Sequence, residues 1–401
     1  MYTPARNVYR SLPVLLIISR LMLIIALPLE GLRGYGDFVH FFRLAGMGIP
    51  YMNYWVEFPP IFPFFSSLLY QFAGGREHIY DYMLAISLSI AQAISLGIFI
   101  RLVEKIYAQN QAQTRIWIYF SVLLGLSYGW WYFDPLAELA MMLGLYWTLE
   151  GKSGRAGFAI GIGALIKLFP ALLLPMVWRA QTLKRALVVS GISLGLIFGT
   201  YGGLYLFAPE MTAASIRSQS SKGSWETVWA LIDGNFQTGN FGPESERFDP
   251  RTATTPRGNP PRIPTGLVLV PFLLIGLWAF WRARLEDVRQ AIAFMGITWG
   301  LFLLWSPGWS PQWVLYLIPI VLMTLPDREA ILMALSLVII NLLEWPVLLS
   351  RGYTLGLWLT IPVRALLFVL MTILWSGMAH SSKGKGLSRN TIWIGTNSSR
   401  E

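Results

Sequence analysis

The residues best suited to chemistry are carboxylates among aromatics and prolines, one lysine inside an apolar run, and polar side chains at two proline-rich turns. The first group begins Gly34-Tyr35-Gly36-Asp37-Phe38 and continues through Gly48-Ile49-Pro50-Tyr51 to Glu57-Phe58-Pro59-Pro60. Asp37 after Gly-x-Gly suits a helix N-cap. It equally suits a carboxylate at the mouth of a membrane cavity, where lost hydration raises basicity. Glu57 before two prolines is either a loop anion or a ligand for a substrate hydroxyl. Asp134 and Glu138, four apart, share a helix face, and Asp134-Pro135 fits a helix start, with Asp at N-cap.

Lys167 lies inside Ala164-Leu165-Ile166-Lys167-Leu168-Phe169-Pro170. A lysine there must face a cavity, pair with an anion or snorkel; facing a cavity, it could meet a phosphate. Ser306-Pro307-Gly308-Trp309-Ser310-Pro311-Gln312-Trp313 offers a hydroxyl at Ser310 and an amide at Gln312. Both suit sugar or phosphate oxygens, while Trp305 and Trp313 read as interfacial anchors. In Ser224-Trp225-Glu226-Thr227-Val228-Trp229, the two tryptophans at i and i+4 make one helical face. With Glu226, Asp233 and Asn235 as a rim, that face is either a carbohydrate platform or loop packing onto the membrane. Arg217, Arg247, Arg251, Arg257 and Arg262 give the same loop anion-pairing capacity.

Other chemistries lack their residues. The chain has no Cys, so thiolate and disulfide chemistry is absent. Its three His, at 40, 78 and 380, are dispersed, and neither a metalloprotease helix nor a P-loop occurs. No cofactor is required, and no spacing calls for a metal, although carboxylates alone could hold a divalent cation.

The elements that must position these groups are membrane helices. The chain has 401 residues, 55% hydrophobic and 13% charged, with 18 Trp. A soluble domain carries roughly a quarter charged residues, and disorder needs low hydrophobicity. At about 20 residues per crossing, this composition predicts an all-α integral membrane protein of roughly 10–12 helices in one transmembrane domain over 1–401. Apolar runs lie near 12–29, 80–101, 116–131, 135–149, 184–207, 265–281, 290–305, 312–325, 330–349 and 353–377. Residues 156–178 have cations at both flanks, which favours a hairpin or re-entrant pair with Lys167 at its tip over a single crossing. Residues 61–73 are expected along the outer interface.

The formal charge of +10 first suggests nucleic acid. With both termini cytoplasmic, 18 basic residues and 7 acidic ones fall inside, and the remaining 13 basic and 14 acidic nearly balance. Positive-inside bias therefore accounts for the charge, and no nucleic-acid partner is needed. The first helix follows Arg6 and Arg10 without a small-residue cleavage site, and reads as an uncleaved span. Two polar segments then face outward, 30–79 and 208–262, and 380–401 forms a cytoplasmic basic tail.

Taken in order, Asp37, Gly48 to Tyr51, Glu57-Phe58-Pro59-Pro60, Phe133-Asp134, Lys167-Leu168-Phe169-Pro170 with Pro175, and Ser310-Pro311-Gln312 with Pro319 resemble the GT-C glycosyltransferases of the family 87 type. The resemblance stretches from about residue 34 to 325. Phe58 departs from it, since the family more often has Tyr before the proline pair. The resemblance implies a polytopic helical bundle with interfacial helices in the first outer loop. It also implies an enzyme that takes one sugar from a polyprenyl-phosphate donor and inverts the anomeric carbon at the outer face of the cell membrane. Asp37 would be the general base; Lys167, Ser310 and Gln312 would meet the donor phosphate; Tyr51, Glu57 and Asp134 would lie along the substrate. The sugar is a hexose or pentose, mannose being one candidate, and the acceptor is lipid-linked or part of the cell envelope. A transporter or flippase of lipid-linked sugars is the alternative. It usually needs internal repeats and broken helices meeting at mid-membrane, and the sequence offers neither.

Overall fold

A computed structural model describes residues 5–380; the basic tail expected beyond His380 lies outside the described residues. The architecture is helical, and among the described residues only isolated bridges such as Lys222 with Arg257 and Trp225 with Gly308 have β geometry. Seven helices there are long and apolar enough to cross a membrane: Tyr9–Ala26, Glu77–Ile106, Leu183–Phe207, Thr265–Arg282, Val288–Trp305, Asp327–Leu349 and Thr354–His380. Shorter apolar helices cover Ile61–Phe72, Ser153–Ile166, Phe169–Ala180 and Pro311–Thr324. An all-α polytopic membrane protein is what the apolar runs predict.

Burial separates the helices into two populations. Glu77–Ile106 and Val288–Trp305 are mostly enclosed by protein, whereas Thr265–Arg282 and Leu183–Phe207 turn most of their surface outward. An all-round apolar helix exposed this way needs lipid around it. The interior is knit by aromatic rings and small residues. Phe62 stacks on Phe133 at 3.9 Å, and the Phe169 ring lies 4.7 Å from that of Trp313 and 5.2 Å from that of Tyr316.

The 156–178 run is two helices. Ser153–Ile166 stops at Lys167, whose backbone is extended (φ −157°, ψ 136°), and the chain returns through Phe169–Leu173 and Leu174–Ala180. Pro170 disfavours helix at the residue before it and lacks an N–H, so the first helix cannot run on. At the open end, Gln181 donates to the Thr148 carbonyl at 3.2 Å; at the closed end Lys167 meets Asp134. The 116–131 run also differs from one continuous span, because the helix Gln109–Gly125 ends there and a short turn Tyr128–Trp131 follows. Residues 61–72 form a helix of about 18 Å at 1.5 Å per residue, too short to cross, with Phe64, Leu68 and Phe72 exposed.

Buried arginines close several helix ends. The last carbonyls of a helix have no partner within it, and arginine is a multiple donor of fixed charge. Arg20, enclosed in the first span, donates to the Leu123 and Leu126 carbonyls and lies 4.0 Å over the Trp130 ring. Arg179 serves the Phe280 and Ala283 carbonyls. Arg115 donates to the Leu322 and Leu325 carbonyls and to Asp327. Arg115→Met should therefore lower unfolding stability by about 1–3 kcal/mol through stranded carbonyls. Thermal unfolding of the purified protein in detergent checks this, with exposed Arg155→Met expected to leave the midpoint unchanged.

Candidate active site

The site is built where the two polar loops meet. In the first loop, the helix Phe38–Ala45 begins after Asp37. Its start is pinned to the Tyr128–Trp131 turn, for the Asp37 N–H donates to the Trp131 carbonyl at 3.2 Å. Gly36 permits that approach, since a Cβ there would lie 2.5 Å from the Trp131 oxygen. Asp37 occupies the N-cap position, yet its carboxylate accepts no capping bond. The half-buried side chain is left with no helix N–H to satisfy. Burial raises its pKa to about 6, with Glu57 adding to the rise and the charges of His40, Lys167 and Lys222 opposing it.

Glu57 has a different fate. Both of its oxygens accept from Arg247, one at 3.0 Å, and Oε1 also meets His40 Nε2 at 3.0 Å. Both partners of the Glu57–Arg247 pair are almost wholly buried. Burial alone would raise the Glu57 pKa, but Arg247 and His40 outweigh it and hold the carboxyl far below the usual range. His40 Nδ1 reaches Glu244 at 3.1 Å. Burial opposes protonation of His40, yet the two carboxylates raise its pKa on balance. Backbone bonds extend the junction: Trp55 N–H donates to the Arg247 carbonyl at 3.0 Å, and Val56 N–H to Ser215 Oγ at 3.0 Å. Expected as a possible hydroxyl ligand, Glu57 instead has both oxygens occupied by the second loop.

Tyr51 is likewise internal. It is buried with φ 65°, and its hydroxyl donates to the Phe58 carbonyl at 2.7 Å, bracing the turn into Pro59. Asp134 opens the helix Asp134–Leu149 as its first residue, one place later than the expected N-cap. It is fully buried and takes Lys167 Nζ at 2.7 and 2.9 Å and the Tyr316 hydroxyl at 3.0 Å. Lys167 is thus paired with an anion at the hairpin tip, 5.2 Å over the Phe133 ring.

The tryptophan platform does not form. Thr227 caps a helix that starts at Val228, so Trp225 lies outside it and bridges to Gly308 instead. Trp225 Nε1 donates to Ser310 Oγ at 3.3 Å, while Trp229 Nε1 donates to the Leu304 carbonyl at 3.0 Å on a different side. Asp233 accepts from Ser224 Oγ at 2.6 Å and from the Arg262 N–H at 2.8 Å; Asn235 donates to Ser224 and to the Asn259 carbonyl. These two polar residues close the loop on itself. Trp313, read as an interfacial anchor, is buried among Phe169, Trp309 and Phe302.

Several buried polar atoms have no partner among the described residues, among them Glu226 Oε2, Gln312 Oε1 and Trp313 Nε1. Glu226 also carries φ 52°, a conformation that costs a non-glycine residue about 1–3 kcal/mol. Its carbonyl accepts from Arg364. Burial raises its pKa to about 8 against the charges of Arg364 and Lys222. The residues that follow it, Thr227 to Trp229, line a groove of about 210 Å³ together with Phe272, Leu303, Leu304, Phe368 and Arg364. Among the described residues no cluster of His, Asp and Glu is suited to a metal.

His40, Lys222 and Tyr316 were not legible as site members, and Arg247 was only one of five loop arginines. Which cation meets which anion across 190 residues, as Arg247 meets Glu57, depends on how the loops cross.

A bundle of membrane helices carrying a cluster of carboxylates and lysines whose charges act on one another defines a polytopic membrane protein. The family model for glycosyltransferase family 87 matches residues 59–307. That is more than half of the chain, which belongs to this family and is a membrane glycosyltransferase. None of the curated proteins matches it. The match runs from Pro59 to Pro307, so Asp37, Tyr51, Glu57, Ser310 and Gln312 lie outside it.

The Glu57–Arg247 clamp can be measured. Removing one member of a buried ion pair costs about 3–5 kcal/mol because the other is left uncompensated. Arg247→Met should show that loss in thermal unfolding, and adding Glu57→Gln should recover part of it. The recovered part, from the double-mutant cycle, is the coupling between the two loops.

Proposed function

We propose that the protein transfers a single sugar from a polyprenyl-phosphate donor to a lipid-linked or cell-envelope acceptor at the extracytoplasmic membrane surface, with inversion and with Asp37 as general base. The observation that carries this is the Asp37 carboxylate, at a helix N-cap yet unused in capping, with a pKa raised to about 6 mainly by burial. A base is most effective when its pKa lies near the working pH.

In the proposed reaction the acceptor oxygen attacks the anomeric carbon from the face opposite the phosphate. Its proton passes to Asp37 as the new C–O bond forms. The electron pair of the old C–O bond leaves with the polyprenyl phosphate. Phosphate is a good leaving group, so no general acid is required, unlike the carboxyl pair of most glycosidases. Lys167 has three N–H donors, and two of its contacts are to Asp134; the third donor, with Ser310 and Gln312, suits phosphate or sugar oxygens. Glu226 and Trp225 border the same cleft. The groove lined by Thr227 to Trp229 gives an isoprenoid tail apolar room. Mannose is one candidate sugar, and the mechanism calls for no cofactor.

Three measurements test this reading. Asp37→Asn should lower the transfer rate about 10²–10⁴-fold while the purified protein stays monodisperse; near-normal turnover removes the base assignment. Because the base acts as the carboxylate and its pKa is raised, wild-type activity should be full above pH 6 and fall as pH drops through about 6. The orientation is checked in the otherwise cysteine-free chain. A membrane-impermeant maleimide should label Asn240→Cys in intact cells and should leave Arg155→Cys unlabelled until they are lysed.

A further inference from the structure

Lys167, the lysine that stands out in the sequence, is held by Asp134. A second lysine in the cleft has no such restraint. Lys222 has no hydrogen-bond or ion-pair partner among the described residues, although its surroundings are not empty. Nζ lies 3.6 Å over the Trp225 ring and 4.5 Å over that of Phe241. Its seat exists because residue 239 is glycine: a Cβ there would stand 1.8 Å from Lys222 Cε and 2.3 Å from Nζ. The backbone is fixed as well, with Lys222 bridged to Arg257 and the Gly223 N–H donating to the Arg257 carbonyl at 2.7 Å.

A protein gains nothing from stripping water off an ammonium group unless something anionic arrives to meet it. Aromatic faces attract the cation but accept no full hydrogen bond, which leaves three N–H donors for a ligand. Glu57, Lys167, Asp37 and Glu226 are the charged groups whose fields act on Lys222. Glu57 is neutralised by Arg247 and Lys167 by Asp134. Burial lowers the Lys222 pKa to about 8, with Lys167 contributing and the three carboxylates opposing, so the group is still mostly charged at neutral pH.

Building on the donor class proposed above, we infer that Lys222 binds the donor phosphate and stabilises the charge that gathers on it as the sugar departs. When the bond between the anomeric carbon and the phosphate oxygen breaks, its electron pair stays on that oxygen, which the ammonium of Lys222 is placed to meet. Lys167 then acts chiefly as a positioning residue, tying the hairpin tip to Asp134. Lys222 belongs to the loop and not to a span, so the loop delivers the cation to the membrane surface.

The test uses the full-length purified protein in detergent with polyprenyl-phosphate sugar, measuring donor and acceptor kinetics separately. It also measures inhibition by a polyprenyl phosphate and by the matching polyprenol. Lys222→Met fills the same aromatic seat without charge. It should raise donor KM or lower kcat about tenfold to a hundredfold, the worth of a charged hydrogen bond, and leave acceptor KM unchanged. It should also abolish the preference for the phosphate over the alcohol, and Lys222→Arg should restore part of it. Gly239→Ala keeps the lysine but crowds its seat, and should raise donor KM several-fold. Wild-type donor kinetics and an undiminished phosphate preference in folded Lys222→Met overturn the assignment. If that variant does not fold, an unchanged donor KM in Gly239→Ala does so. A wild-type protein that transfers no sugar from any polyprenyl phosphate overturns the donor class itself, and with it this inference.

Discussion

The cleft depends on one buried ion pair, Glu57 with Arg247. These residues belong to loops separated in sequence by five long or paired helical elements, and neither loop has a core of its own large enough to fix its shape. A carboxylate and a guanidinium removed from water must replace their hydration chiefly with each other, here aided by His40, so their geometry is over-determined. Once the pair forms, the Trp55 and Val56 backbone groups find partners in the second loop, and His40 is drawn between two carboxylates. The first loop then lies in one place, and the start of the Phe38–Ala45 helix with it.

The clamp also sets the electrostatics. Glu57 is an anion at every ordinary pH because Arg247 and His40 hold it so. Burial makes a second anion at Asp37 harder to form, and the fixed charge of Glu57 adds to the effect, so the Asp37 pKa is raised. Two carboxylates of similar chemistry are thereby separated into a permanent anion and a group able to exchange a proton near neutrality. Unequal partners make that separation: Glu57 is hydrogen-bonded to a guanidinium, whereas for Asp37 burial outweighs the charges of His40, Lys167 and Lys222.

The same principle operates in the bundle at lower chemical stakes. Helices that stop inside a membrane protein expose carbonyls that lipid cannot satisfy. Arg20, Arg115 and Arg179 supply the missing donors, which lets the chain break helices at Leu126, Leu325 and Ala283 without a water-filled gap. At the hairpin tip, Lys167 answers to Asp134 in the same way. Arg20 and Lys167, cations inside apolar runs, and Arg115 and Arg179 at the edges of others are therefore what makes the breaks tolerable.

Much of this could be read directly from the chain. Apolar runs of bilayer length require helices, and their register needs no knowledge of neighbours, because each helix satisfies its own backbone. The break at Lys167 was legible from Pro170 and the flanking cations. What remained undetermined was every choice among equals. Two tryptophans four apart read as one face, but Thr227 starts the helix between them. Glu57 looked as available as Asp37, and Lys167 looked more available than Lys222. Pairing is a property of where long loops cross, and burial of a side chain depends on atoms hundreds of residues away. Local pattern sets each residue's chemistry, whereas only the assembled fold decides which charges are cancelled and which are left to act.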